Sequence, residues 1–135
     1  MPTLLLKIAP LQNPERYAGL ARSLTRITHE TLGKRPEVTA VLIEDLPAAQ
    51  WHIGGQAVRR PTALLEISIT QGTNTASEKK AFIDAAFAEL QRQLGAGGAL
   101  EEASYVIVRE LPASDWGYDG VTQLDRKQAR ELAPA

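Results

Sequence analysis

The sequence predicts an α/β (α+β) fold in which two tandem β-α-β units form one four-stranded mixed sheet with two helices on one face. Internal repetition and helical spacing between short apolar runs carry the prediction. Pro2-Thr3-Leu4-Leu5-Leu6-Lys7-Ile8 returns as Pro61-Thr62-Ala63-Leu64-Leu65-Glu66-Ile67, 59 residues later. Val41-Leu42-Ile43-Glu44-Asp45-Leu46-Pro47 returns as Val106-Ile107-Val108-Arg109-Glu110-Leu111-Pro112, and Trp51 as Trp116, both 65 residues later. Repetition at this length marks two copies of one supersecondary unit, neither able to bury its apolar face alone. The units are residues 2–58 and 61–122 of a single domain over 1–135, with a tail over 123–135. The second unit has gained about six residues, around Gln71–Asn74 and Gly95–Gly98.

The first unit opens with a strand over 3–9, nearly all apolar, as in a strand covered on both faces. Pro2 is tolerated at its start. Asn13 followed by Pro14 is a helix-start signal. Tyr17, Leu20, Ala21, Leu24, Ile27 and Thr31 follow the helical period and give one buried stripe. Gly33 fits the stop, with Pro36 just beyond. The second strand runs from Val38 to Glu44.

In the second unit Ala63–Ile69 is a strand, and Thr75-Ala76-Ser77-Glu78 has capping-box spacing. Ile83, Ala86, Phe87, Leu90 and Leu94 form the apolar stripe, Gly95 stops the helix, and Tyr105–Glu110 is the last strand. The charged, Ala-rich stretch from Leu124 to Ala135 reads as a helical or frayed end. Strands within a unit pair in parallel through a right-handed crossover. The sheet face away from the helices is left apolar, which predicts a homo-oligomer.

Composition sets outer limits. The apolar content of 44% is ample for a core, so disorder is not expected. A formal net charge of −1, with both signs mixed, gives no electrostatic case for nucleic acid. No apolar run approaches the roughly 18 residues of a membrane span, and the N-terminus does not read as a signal peptide. With no cysteine there is no disulfide or thiolate chemistry. The expectation is a cytoplasmic protein. No His/Asp/Glu cluster has metal-ligand spacing, so neither a metal nor an organic cofactor is expected.

The N-terminus carries the candidate chemistry. If Met1 is removed, Pro2 becomes a free secondary amine on a rigid ring. An α-amino group has a reference pKa of about 8. A dry apolar site disfavours its charged form, leaving it neutral where a general base works best. The bland alternative is that Met-Pro is a common gene start with no chemistry behind it. Pro61, inside the chain, is an amide and cannot take a proton at neutral pH, so only Pro2 can be a base.

Pro2 opening a strand, the duplication, and Trp51-His52-Ile53-Gly54-Gly55 together resemble the tautomerase superfamily, typified by 4-oxalocrotonate tautomerase. In that family an aromatic residue and an Ile-Gly-Gly hairpin lie beside the N-terminal proline. Asp115-Trp116-Gly117-Tyr118 looks like the end of malonate semialdehyde decarboxylase, a two-copy relative. The resemblance covers roughly residues 2–122. It implies a homotrimer with sheets facing inward, because duplicated members replace each dimer of the short members with one chain.

For the site, the resemblance implies Pro2 as the catalytic base and Trp51 as the aromatic lining residue, with Trp116 its second-unit counterpart. His29 lies on the first helix, where dehalogenase-type relatives carry a substrate-binding histidine. The two arginines of the type enzyme fall here on Gln12 and Ala40, and their second-unit counterparts near Gln71 and Tyr105. The decarboxylase's paired arginines fall in Ile69–Thr73, and its acidic residue near Thr39. Gln cannot imitate the bidentate fork that Arg offers a carboxylate. Arg109 and Arg22 are basic groups that could enter from elsewhere.

The function expected on these grounds is keto–enol proton transfer on a small 2-oxo acid or related carbonyl compound. Neutral Pro2 moves the proton, and Gln12 or Gln71 hydrogen-bonds the developing oxyanion. Two alternatives stay open. One is decarboxylation or hydration with protonated Pro2 as the acid. The other is a non-catalytic oligomeric binding module, since fold does not dictate function.

Overall fold

The computed structural model describes residues 2–133; Met1 and the last two residues of the predicted tail lie outside the described residues. Strand β1 (Thr3–Ala9) leads to helix α1 (Arg16–Leu32), strand β2 (Ala40–Asp45), and a small hairpin of β3 (His52–Ile53) and β4 (Gln56–Ala57). The second unit repeats this with β5 (Thr62–Thr70), α2 (Ala76–Leu94), β6 (Tyr105–Leu111), and a hairpin of β7 (Gly117–Tyr118) and β8 (Val121–Thr122). A third helix, α3 (Gln123–Leu132), follows at once. The main sheet has the order β2-β1-β5-β6. β1 pairs with β2, and β5 with β6, in parallel; β1 and β5 are antiparallel at the centre. The mixed sheet is therefore two parallel units turned head to tail.

The core lies between the sheet and the two long helices. Leu4, Leu6 and Ile8 of β1, and Ala63, Leu65, Ile67 and Ile69 of β5, face Leu20, Leu24 and Ile27 of α1 and Leu90 and Leu94 of α2. Thr28 is also buried; its Oγ1 donates to the Leu24 carbonyl at 2.7 Å, so its hydroxyl is satisfied. Gly33 ends α1 at φ +70°, and its N–H donates to the His29 carbonyl, as a left-handed cap requires. The Thr75 capping box is complete. Thr75 Oγ1 accepts from Glu78 N at 3.1 Å, and Glu78 Oε1 accepts from Thr75 N at 2.8 Å.

Several local expectations are corrected. Asn13 does not cap α1. Its Oδ1 accepts from Glu15 N at 3.0 Å, and its carbonyl from Arg16 N at 2.9 Å, so it closes a separate turn ahead of the helix. β2 starts at Ala40, because Pro36–Val38 form a short 3₁₀ turn. On α2 the fully buried aromatic is Phe82, at 0% exposure, whereas Ile83 is 37% exposed. The buried row Phe82, Ala86, Leu90 and Leu94 follows a strict four-residue ridge, with Phe87 packed on its flank.

The sheet face away from the helices is amphipathic rather than apolar. Leu5, Leu42 and Tyr105 are exposed there. Between them stand charged residues: Lys7 opposite Glu44, and Glu66 opposite Ile107, two residues from Arg109 on the same face. Arg109 Nη2 donates to Glu66 Oε1 at 3.3 Å. Opposite charges on neighbouring strands stabilise the pairing modestly.

Candidate active site at the Pro2 end of the sheet

The head-to-tail arrangement decides which loops meet. Thr3 pairs with Ala40 on one side and with Ser68 on the other. One step back, Pro2 lies level with Thr39 and Ile69. Pro2 is buried, and its carbonyl accepts from Ala40 N at 3.2 Å. Its end of the sheet is therefore bracketed by the α1–β2 connection and the β5–α2 loop, which come from different units. The segment after β6 reaches the same end, because Gln71 N donates to the Leu111 carbonyl at 2.8 Å.

Side chains tie these segments together. Lys34 Nζ donates to Thr73 Oγ1 at 2.9 Å, and Asn74 Nδ2 donates to the Leu32 carbonyl at 3.0 Å. The Trp116 indole N–H donates to Thr70 Oγ1 at 3.2 Å. His29 Nδ1 donates to the Lys34 carbonyl at 3.0 Å, which leaves Nε2 as the ring nitrogen available to another partner. Lys34 is half-buried. Burial pushes its ammonium below the ordinary lysine range, and the charge of Glu78 opposes that only in part. A groove of about 770 Å³ opens beside Thr39 and Val41 and is walled by Arg22, Arg26 and His29 of α1.

Of the residues singled out in the sequence, this end collects Pro2, His29, Gln71 and Trp116. Gln71 is exposed and Trp116 half-buried. Arg22 is placed as well, in the groove wall beside His29. Gln12 and Trp51 are not here. β1 runs from Pro2 to Ala9, where Ala9 pairs with Thr62, so Gln12 falls at the Pro61 end, about 23 Å away by strand rise. Its backbone N–H donates to Asp45 Oδ2 at 2.9 Å and its side chain to the Pro10 carbonyl at 3.0 Å. Trp51 starts the β3–β4 hairpin that follows β2 to that same end, where Val58 N donates to its carbonyl. Arg109 lies on the open sheet face, engaged by Glu66.

Lys34 is the residue that sequence reading missed. A lysine just past a helix-stopping glycine looks like a solvated charge. Its signal is the contact with Thr73, across the two units.

The Pro61 end has the same plan with different chemistry. Glu101 N donates to the Pro61 carbonyl at 2.8 Å, as Ala40 N does to Pro2. Glu101 Oε2 accepts from the backbone N–H groups of Arg59 and Arg60, which hold its carboxyl below the usual range. Asp45 accepts from the Tyr17 hydroxyl at 2.6 Å, and that hydrogen bond raises the Tyr17 phenol.

No protein-family model and no curated protein matches the sequence. Solved structures do match in fold. The F6 fused 4-OT, a wild-type asymmetric trimer, is 25% identical, with a TM-score of 0.80 over 92% of this chain and 98% of its own. Native fused 4-OT is 26% identical, with a TM-score of 0.77 over 91% and 97%. Macrophage migration inhibitory factor from Toxoplasma gondii has the same fold at 18% identity, with a TM-score of 0.73 over 89% and 98%. Among the described residues no helix is long and apolar enough to cross a membrane. The chain is a fused, tautomerase-like protein with the two-unit fold of the fused 4-OT structures.

Proposed function

We propose that this protein is a tautomerase that transfers a proton between the enol and keto forms of a small 2-oxo acid at the Pro2 end of its sheet. Pro2, freed by removal of Met1, is the general base. It accepts the proton from the enol hydroxyl or the carbon α to the carbonyl, and returns it to another carbon. Lys34, held over this end by Thr73, stabilises the oxyanion that develops on the 2-oxo oxygen. Gln71 and His29 supply further hydrogen bonds, and Trp116 forms an aromatic wall.

The observation that carries the reading is the half-buried Lys34 reaching from one unit to the loop of the other, at the end of the sheet where Pro2 is buried. Pro2 is itself buried, and burial disfavours the charged form of an amine there. On this reading the repeat units 2–58 and 61–122 act as one domain. The assembly is a homotrimer like the fused 4-OT trimers, with one working proline per chain.

The test follows ketonisation of phenylenolpyruvate by ultraviolet absorbance, with wild type and Pro2→Ala on protein whose mass shows Met1 removed. Turnover should vanish in the variant; equal rates would defeat the reading. A second readout uses 2-oxo-3-pentynoate, which inactivates the fold neighbour Pt0534. Mass spectrometry should find the adduct on the Pro2 peptide of wild type and on no peptide of Pro2→Ala.

A further inference from the structure

Two buried donors on α3 lack an acceptor. Gln123 is 8% exposed, and its Nε2 has no hydrogen-bond partner among the described residues; neither does the buried Nε of Arg126. The two residues are three apart on one helix and so share a face. Asp125 falls between them and points elsewhere around the helix. A buried donor left unpaired is costly, more so when it is charged, and a guanidinium cannot shed its charge.

The remainder of the Arg126 side chain is fixed. The Arg126 guanidinium lies 3.6 Å over the centre of the Tyr118 ring, and Nη2 donates to the Tyr118 carbonyl at 2.8 Å. That leaves Nε–H, one tooth of the side-on fork with which arginine takes a carboxylate. Gln123 N donates to the Trp116 carbonyl, and Leu124 N to the Ala113 carbonyl, both at 2.9 Å. The first turn of α3 thus sits on the segment that follows β6. Trp116 of that segment bonds Thr70, next to Ile69, the residue level with Pro2.

We propose that the missing acceptor is the carboxylate of the substrate, so that Arg126 and Gln123 replace the arginines absent at positions 12 and 40. This rests on the reading of the Pro2 end as the active site. It leaves Lys34 for the oxo oxygen and gives the two charged ends of a 2-oxo acid separate partners. Both donor atoms are closed to solvent in this structure, so binding requires α3 to shift enough to admit the carboxylate.

Initial rates on phenylenolpyruvate and on its methyl ester separate the outcomes. Arg126→Gln should raise KM for the acid at least about tenfold more than for the ester, equivalent to about 1.4 kcal/mol. Gln123→Leu should shift KM in the same sense without disturbing the stack on Tyr118, and Arg126→Lys should recover part of the loss. Equal shifts on acid and ester, or none in either variant, overturn the proposal. If that happens while Pro2→Ala still abolishes turnover, the assignment of the base stands without it. If Pro2→Ala keeps turnover, the base assignment falls, and calorimetric titration with phenylpyruvate decides the anion site independently. Binding lost in Arg126→Gln supports the site; unchanged binding overturns it.

Discussion

Phe82 and Ile83 are neighbours with opposite fates, and paired truncations test the packing directly. The Phe82 ring is fully buried between α1, α2 and the sheet. Phe82→Ala removes that ring from a close-packed interior and leaves a cavity its neighbours only partly fill. Such truncations cost about 3–5 kcal/mol. Ile83 is 37% exposed on the flank of the same helix, so Ile83→Ala forfeits a fraction of that, on the order of 1 kcal/mol. For a chain of 135 residues the unfolding entropy near 60 °C is about 0.28 kcal/mol/K. Phe82→Ala should therefore lower Tm by roughly 10–18 °C, and Ile83→Ala by roughly 4 °C. Circular-dichroism melts at one fixed protein concentration read this, since association would make Tm depend on concentration. An Ile83→Ala loss as large as that of Phe82→Ala would refute the placement of the core ridge.

Other outcomes follow from the site and the surface. Lys34→Met, which keeps the aliphatic stem but loses the charge, should lower kcat on phenylenolpyruvate by about 100-fold or more while leaving the melt nearly unchanged; a loss confined to KM would move Lys34 from the oxyanion to the carboxylate. Glu89 is held down to about 2, first by its hydrogen bond to Arg92 and then by the Gln93 amide and Ser23. Its stabilisation is therefore fully present above the unfolded value near 4.5 and is lost as pH falls toward 2. After solvent screening it is worth about 1 kcal/mol, and urea titrations should find that part of the acid loss absent in Glu89→Gln.

The frame was legible because repetition and turn chemistry are local. The matched Pro-Thr openings, the Gly33 stop and the Thr75–Glu78 box each depend on residues close in sequence. Asn13 misled because its side chain closes its own turn at Glu15 before the helical ladder begins at Arg16. Phe82 and Ile83 could not be separated by period, since adjacent apolar residues both lie within the width of a buried stripe.

The site was less legible, for a topological reason. Counting from Pro2 puts Gln12 and Trp51 in its own unit, but the antiparallel β1–β5 pairing carries the far end of each unit to the proline of the other. Gln71 and Trp116, the second-unit counterparts, are the ones that arrive beside Pro2. The Lys34–Thr73 bond joins residues 39 apart, and no pattern within one unit announces it.

Fusion of the two units changes what each end must do. In an assembly of identical single units, every side chain stands at every end. One set of residues must then provide the base, the oxyanion donor and the scaffold together. Here the ends are free to differ, and they do. The Pro61 nitrogen is locked in an amide, and its end is closed by carboxylates, Glu101 on the Arg59 and Arg60 amides and Asp45 on Gln12 and Tyr17. Those contacts satisfy backbone donors and hold loops, which is structural work. At the Pro2 end stand Lys34 and the α1 residue His29 instead, together with the proline nitrogen that removal of Met1 would free as a secondary amine. A desolvated cation there is costly to stability, yet it costs that once per chain rather than twice. On the proposed reading the division is the reason the family arginines could be lost at positions 12 and 40. Position 12 faces an end with no base to serve, and the positive charge at the Pro2 end is carried instead by Lys34 of the α1–β2 connection and Arg126 of α3.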